Sequence, residues 1–152
     1  MKRQPITVSA LVISVLAIAT VAIAQSPFTG TWKLNLKQSK FISAAPLGWT
    51  DVFREIEDDQ VEVTTNIILP DQSVINEVIV WPRQGGIAKF RQGGTEGVME
   101  VETLISPDEW LATRMVNGKQ TGLVKLIVSK NGKTMRYKIT GLMEGEAVFE
   151  KQ

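Results

Sequence analysis

The chemistry open to this chain is bounded first by two side chains it lacks. It contains no histidine and no cysteine, which removes the commonest general base, every triad built on an imidazole, and the usual zinc ligand sets. Carboxylates remain. Glu100 and Glu102 stand two residues apart, on one face of any strand, as a glycosidase-type acid pair would need. The plainer reading of that segment places Met99, Val101, Thr103 and Ile105 inward and leaves both acids in water. Glu55, Glu57, Asp58 and Asp59 lack the ligand spacing of a calcium loop and read as a solvated hairpin. The pairs Gly85–Gly86 and Gly93–Gly94 read as turns, because a phosphate cradle needs a helix to follow it and strands follow here. Arg114 shares a strand face with Trp110 and Ala112 and would suit an anionic ligand group if that face were interior. Leu111, Thr113 and Met115 offer the better inner face, so an outward arginine is expected. No catalytic residue, metal site or cofactor is expected.

The elements that position these residues are strands. From Gly30 onward the dominant period is two, β-branched and aromatic residues are enriched, and breakers recur every eight to twelve residues. The pattern predicts strands over 30–36, 49–57, 61–69, 73–81, 87–90, 97–105, 109–116, 122–129, 133–140 and 146–151. In the first, Trp32, Leu34 and Leu36 share a face; in the ninth, Met135, Tyr137 and Ile139 do. Asp58–Gln60, Asn117–Gly118 and Asn131–Gly132 are hairpin signals. Nine or ten strands joined by short turns leave no room for parallel crossovers, so the sheet is an antiparallel meander. Closing it into a barrel of about eight to ten strands removes both exposed edges, whereas a two-sheet sandwich has the same periodicity and stays open as an alternative.

The first 24 residues differ in kind. Lys2 and Arg3 precede an apolar run, Ile6 to Ile23, and Ala22, Ile23 and Ala24 form a small-residue cleavage site before Gln25. Residues 1–24 are expected to be a secretory signal peptide and residues 25–152 one barrel domain; an uncleaved anchor is the other reading of so long an apolar run. Loss of Lys2 and Arg3 from the 17 basic residues leaves 15 against 16 acids. Such a near-neutral chain without a basic cluster is unsuited to nucleic acid or to an anionic membrane surface. An exported location, periplasmic or extracellular, is expected, with no stable membrane insertion after cleavage. A domain of about 128 residues buries enough surface to fold without disulfides.

The segment Phe28, Thr29, Gly30, Thr31, Trp32, Lys33, Leu34, Asn35 resembles the Gly-x-Trp opening of lipocalins, fatty-acid-binding proteins and avidins. The longer pattern, through Ser39, Lys40 and Phe41, and again from Ser129, Asn131, Gly132, Lys133 and Met135 to Glu150 and Lys151, is similar to a group of exported bacterial lipocalin-like (calycin) proteins of unknown role. The resemblance covers both ends of the chain beyond the leader and leaves the middle unmatched. It implies a barrel whose tryptophan plugs the closed end, with glycine bending the strand at the rim. Two departures bear on function. No arginine ends the last strand to stack on Trp32, Lys151 being the nearest substitute. Arg136 and Tyr137 are adjacent, hence on opposite faces, so a fatty-acid carboxylate clamp is not supported.

The resemblance implies a binding protein holding a small, mostly apolar molecule, with candidate contacts Trp32, Trp81, Val101, Trp110, Met115, Leu126, Tyr137 and Phe149. The alternative is an envelope or extracellular interaction module whose barrel is filled by side chains, in which case no interior cavity exceeds about 300 Å³. An enzyme is third, and it would rest on Glu100 and Glu102.

Overall fold

The computed structural model describes residues 25–141 and 143–152, so the expected leader, residues 1–24, lies outside the described residues. Period-two patterning becomes twelve strands: β1 (Gly30–Leu34), β2 (Lys40–Phe41), β3 (Gly48–Ile56), β4 (Gln60–Ile68), β5 (Val74–Pro82), β6 (Gly85–Ile87), β7 (Lys89–Gln92), β8 (Val98–Ser106), β9 (Glu109–Val116), β10 (Lys119–Val128), β11 (Thr134–Thr140) and β12 (Gly145–Lys151). No helix occurs among the described residues.

The strands form one antiparallel sheet in the order β6-β8-β9-β10-β11-β12-β1-β3-β4-β5-β7, with β2 pairing on β12. The two ends of that order, β6 and β7, are consecutive in the chain. Gly85–Ile87 pairs with β8, Lys89–Gln92 pairs with β5, and between them the Ala88 N–H donates to Glu100 O at 2.9 Å. One segment therefore fastens both edges, and the sheet curls into a nearly closed barrel rather than splitting into a sandwich.

The expected single strand over 87–90 is thus two, and the expected turn at Gly85–Gly86 is part of the first. Glycine is required there: Gly85 has φ +92°, and a Cβ would stand 2.7 Å from Glu102 O. The first strand stops at Leu34, two residues early, because Asn35 O turns back to accept the Gln38 and Ser39 N–H groups. Leu36 is consequently exposed and shares no face with Trp32. Residues 35–41 instead run alongside β12, where Ser39 Oγ accepts from the Val148 N–H at 2.9 Å. This cover accounts for three consecutive buried residues on β12, Ala147, Val148 and Phe149, in a strand whose alternate residues would otherwise face out.

The Asp58–Asp59 hairpin turns through two residues at positive φ (60° and 53°), the twist that a two-residue connection between right-handed strands demands. Asn117–Gly118 repeats this geometry at φ 50° and 76°.

The closed end is packed around Trp32, which is fully buried and donates its indole N–H to Phe28 O at 2.6 Å. Lys151 lies over its ring, 5.2 Å from the centroid. Gly30, φ +132°, lets β1 pass beneath that lysine; a Cβ would meet Lys151 Cε at 2.7 Å. Phe149, Met135 and Val128 fill the space around it. The core then continues along the barrel axis as an inward row from every strand.

Candidate ligand-binding site

Above this floor the interior is not filled. A cavity of about 390 Å³ remains, above the lower bound of about 300 Å³ for ligand pockets. The strand registers set its tiers. Lowest are Phe53 on β3, Trp81 on β5 and Trp110 on β9, packed on Phe28. Next come Ile79, Glu102 and Ala112, then Glu77, Glu100 and Arg114. Leu69, Ile75, Thr140 and Met143 line the opposite end.

Of the expected contacts, Trp81, Trp110, Leu126 and Tyr137 line this cavity. Four do not. Trp32 and Phe149 belong to the filled floor and have no exposed surface, for a buried indole and ring already in contact on all sides have none to offer a ligand. Val101 and Met115 point the other way, out of the barrel. The expected orientation of β8 and β9 is inverted: Glu100 and Glu102 are buried, at 9% and 4% exposure, and Arg114 faces inward with them.

The cause is the hairpin. With Trp110 inside, the antiparallel register through Pro107–Asp108 places Leu104 opposite Trp110, Glu102 opposite Ala112 and Glu100 opposite Arg114, so all six share the interior face. Burial of one indole outweighs the greater count of apolar residues on the opposite face. Glu100 and Arg114 form an opposite-charge pair across this register whichever face is inside, so the pair itself did not show the inversion.

The sequence reading did not single out Asp51 and Glu77. Asp51 sits between Trp49 and Phe53 on the inward face of β3 and is 2% exposed. It accepts from Tyr137 Oη at 2.5 Å and from Trp49 Nε1 at 2.9 Å, with Thr65 as a further donor. Burial pushes its carboxyl above the usual carboxylate range, and those donors offset part of the rise. Tyr137 is raised well above an ordinary phenol by burial and by Asp51 beside it, so it stays a neutral donor.

Arg114 ties the far side together. Its guanidinium reaches Glu77 at 2.7 Å and Glu100 at 3.4 Å, linking β9 to β5 across the strand that closes the barrel, and it lies 5.8 Å from the Phe90 ring centroid. Glu100 is raised chiefly by burial, with Arg114 opposing. Glu102 has no such cation. Among the described residues it accepts from Trp110 Nε1 alone, and burial, with Glu100 adding to it, lifts its pKa to about 8. At neutral pH the carboxyl is mostly protonated, an acid held neutral by its surroundings. Trp81 Nε1 is buried with no acceptor among the described residues.

No family model and no curated protein matches the chain. Two solved structures do share its architecture: the fluorescent protein UnaG, wild type, and a point variant of it. Each is 15% identical with a TM-score of 0.58; the first covers 82% of this chain and 97% of its own length, the second 83% and 96%. The chain therefore shares the fold of that protein, an antiparallel β-barrel.

Proposed function

We propose that this chain is an exported, non-enzymatic binding protein that holds a small, mostly apolar molecule inside its barrel. The observation that carries the reading is the unfilled 390 Å³ cavity with apolar walls and an aromatic floor. Large apolar surface left facing a void lacks the contacts that packing would supply, and an apolar guest restores them. A barrel interior complete without a ligand would have closed around its own side chains. The apolar leader sequence ending at Ala24 supports export.

Native mass spectrometry of protein purified from its own host, with a lipid and haem binding screen, tests the binding. A co-purifying mass or saturable binding is expected; neither would overturn the reading. N-terminal sequencing of the exported product is expected to begin at Gln25.

One observation favours a second reading. Glu102, held protonated beside Glu100, is the minimum equipment for general acid–base work, and both now face the cavity rather than water. Turnover in a broad hydrolase screen, abolished by Glu102→Gln, would replace carriage with catalysis.

A further inference from the structure

The charged groups inside the cavity do not balance. Four carboxylic acids line it, Asp51, Glu77, Glu100 and Glu102, against one cation, Arg114. Three of the four are matched: Asp51 by Tyr137, Trp49 and Thr65, and Glu77 and Glu100 by Arg114. Glu102 is not. It is 4% exposed, it lines the cavity, one of its oxygens takes the Trp110 N–H, and the other receives no donor from any described residue. A buried carboxyl without a counter-charge is costly to keep, whether ionised or forced neutral, and has no packing role that leucine could not fill. Its surroundings are the aromatic tier: the Trp81 and Trp110 rings lie 5.8 Å apart, and Trp81 carries its own unmet N–H. Indole faces beside a carboxylate are the two surfaces that together favour an organic cation, the first by its quadrupole and the second by its charge. An anion is disfavoured, because Arg114, the cation of the lining, is already engaged twice.

Resting on the reading that the cavity binds a small apolar molecule, we propose that this molecule carries a protonated amine, seated against Glu102 at the Trp81–Trp110 floor, with its apolar body along the aliphatic wall toward Ile75 and Met143. The amine supplies the donor that the free Glu102 oxygen lacks.

Seating a cation there requires Glu102 to be ionised, so binding releases a proton. The titratable groups facing Glu102 are Glu100 on its own strand, Arg114 on β9, Glu77 on β5, and Tyr137 with Asp51 across the cavity. Tyr137 stays neutral through the working range, Asp51 and Glu100 are likewise raised by burial, and Glu102, lifted to about 8, ionises within that range. Affinity for an amine then tightens by up to about tenfold per pH unit below 8 and levels off above it. An alkylammonium resembles lysine, with a pKa of about 10.4, and keeps its proton throughout.

The test is calorimetric titration of the protein, expressed as the full chain, with octylammonium, octan-1-ol and octanoate at several pH values from 6 to 8.5. Octylammonium is expected to bind at least about tenfold more tightly than octan-1-ol at pH 8, to tighten from pH 6 to 8, and to release protons; octanoate is expected to be weakest. In Glu102→Gln the octylammonium-to-octanol ratio is expected to fall toward parity and the pH slope to vanish. Octan-1-ol or octanoate binding as tightly as the ammonium at pH 8 overturns the inference and leaves the carrier reading standing. Binding of none of the three, with no guest found in the screens above, overturns both. Should the variant not fold, the ranking and pH slope of the unaltered protein still decide.

Discussion

Trp32 and Glu102 are about equally hidden from water, yet their surroundings are opposite. Around Trp32 every group is met: its N–H has Phe28 O, its face has Lys151, and Phe149 and Met135 leave no gap. Around Glu102, one tier above the Trp81–Trp110 floor, an acid is lifted to about 8, an indole N–H lacks an acceptor among the described residues and a void adjoins them. The closed end is what a chain does to be stable. The belt above it retains features that stability alone would remove, and groups with displaced pKa values and unmet bonds concentrate where a protein meets something else.

That contrast can be broken most forcefully at the floor. Trp32→Ala is expected to cost about 3–5 kcal/mol in chemical denaturation, since a filled site cannot collapse. Trp81→Ala, which only enlarges an existing void, is expected to cost roughly half as much. Equal losses would mean that floor and cavity are built alike.

The belt is expected to show itself in pH next. Glu102 ionises near 8 in the folded chain and at its ordinary carboxylate value when unfolded, so between about pH 5 and 8 the folded state holds a proton that the unfolded state does not. Stability should therefore fall as pH rises through this window, by up to about 1.4 kcal/mol per unit, and level off above it. In Glu102→Gln this component is expected to disappear, making the variant the more stable protein at pH 8. Identical profiles for the two proteins would show that Glu102 titrates normally.

Smaller effects should sharpen the boundary. Tyr137→Phe removes a donor from buried Asp51 and is expected to cost about 1–3 kcal/mol, with a further rise in the Asp51 pKa measurable by NMR. Lys151→Ala, at the exposed rim of the floor, is expected to cost about 0.5–1 kcal/mol by thermal melting, the scale of an exposed cation over an indole.

Much of the fold was legible because it follows from local rules. Asn117–Gly118 and Asp58–Asp59 fix hairpins through backbone conformations open to few residues, and Trp32 after Gly30 marked the plugged end. The site was legible in part. Trp81, Trp110, Leu126 and Tyr137 line the cavity, whereas Val101 and Met115 were placed on the wrong side. That error follows from reading β8 and β9 each by itself, since in both the alternate set read as the better inner face is the outer one. Asp51 escaped notice for a related reason: an aspartate between two aromatics reads as a surface interruption until Tyr137, 86 residues away, is brought to it.

Composition and order of residues by themselves determined that the chain is a meander of strands, where most of its turns fall, and that imidazole and thiol chemistry are closed to it. These depend on side-chain inventory and on contacts between near neighbours in the chain. Which face of each strand became the inside, that four acids and one arginine share it, and that one of those acids has no counter-charge among the described residues were decided only when distant strands closed on a common axis. Alternation gives two equivalent faces, and the choice between them is made by packing across the barrel, where one buried indole on β9 carries both strands of its hairpin with it.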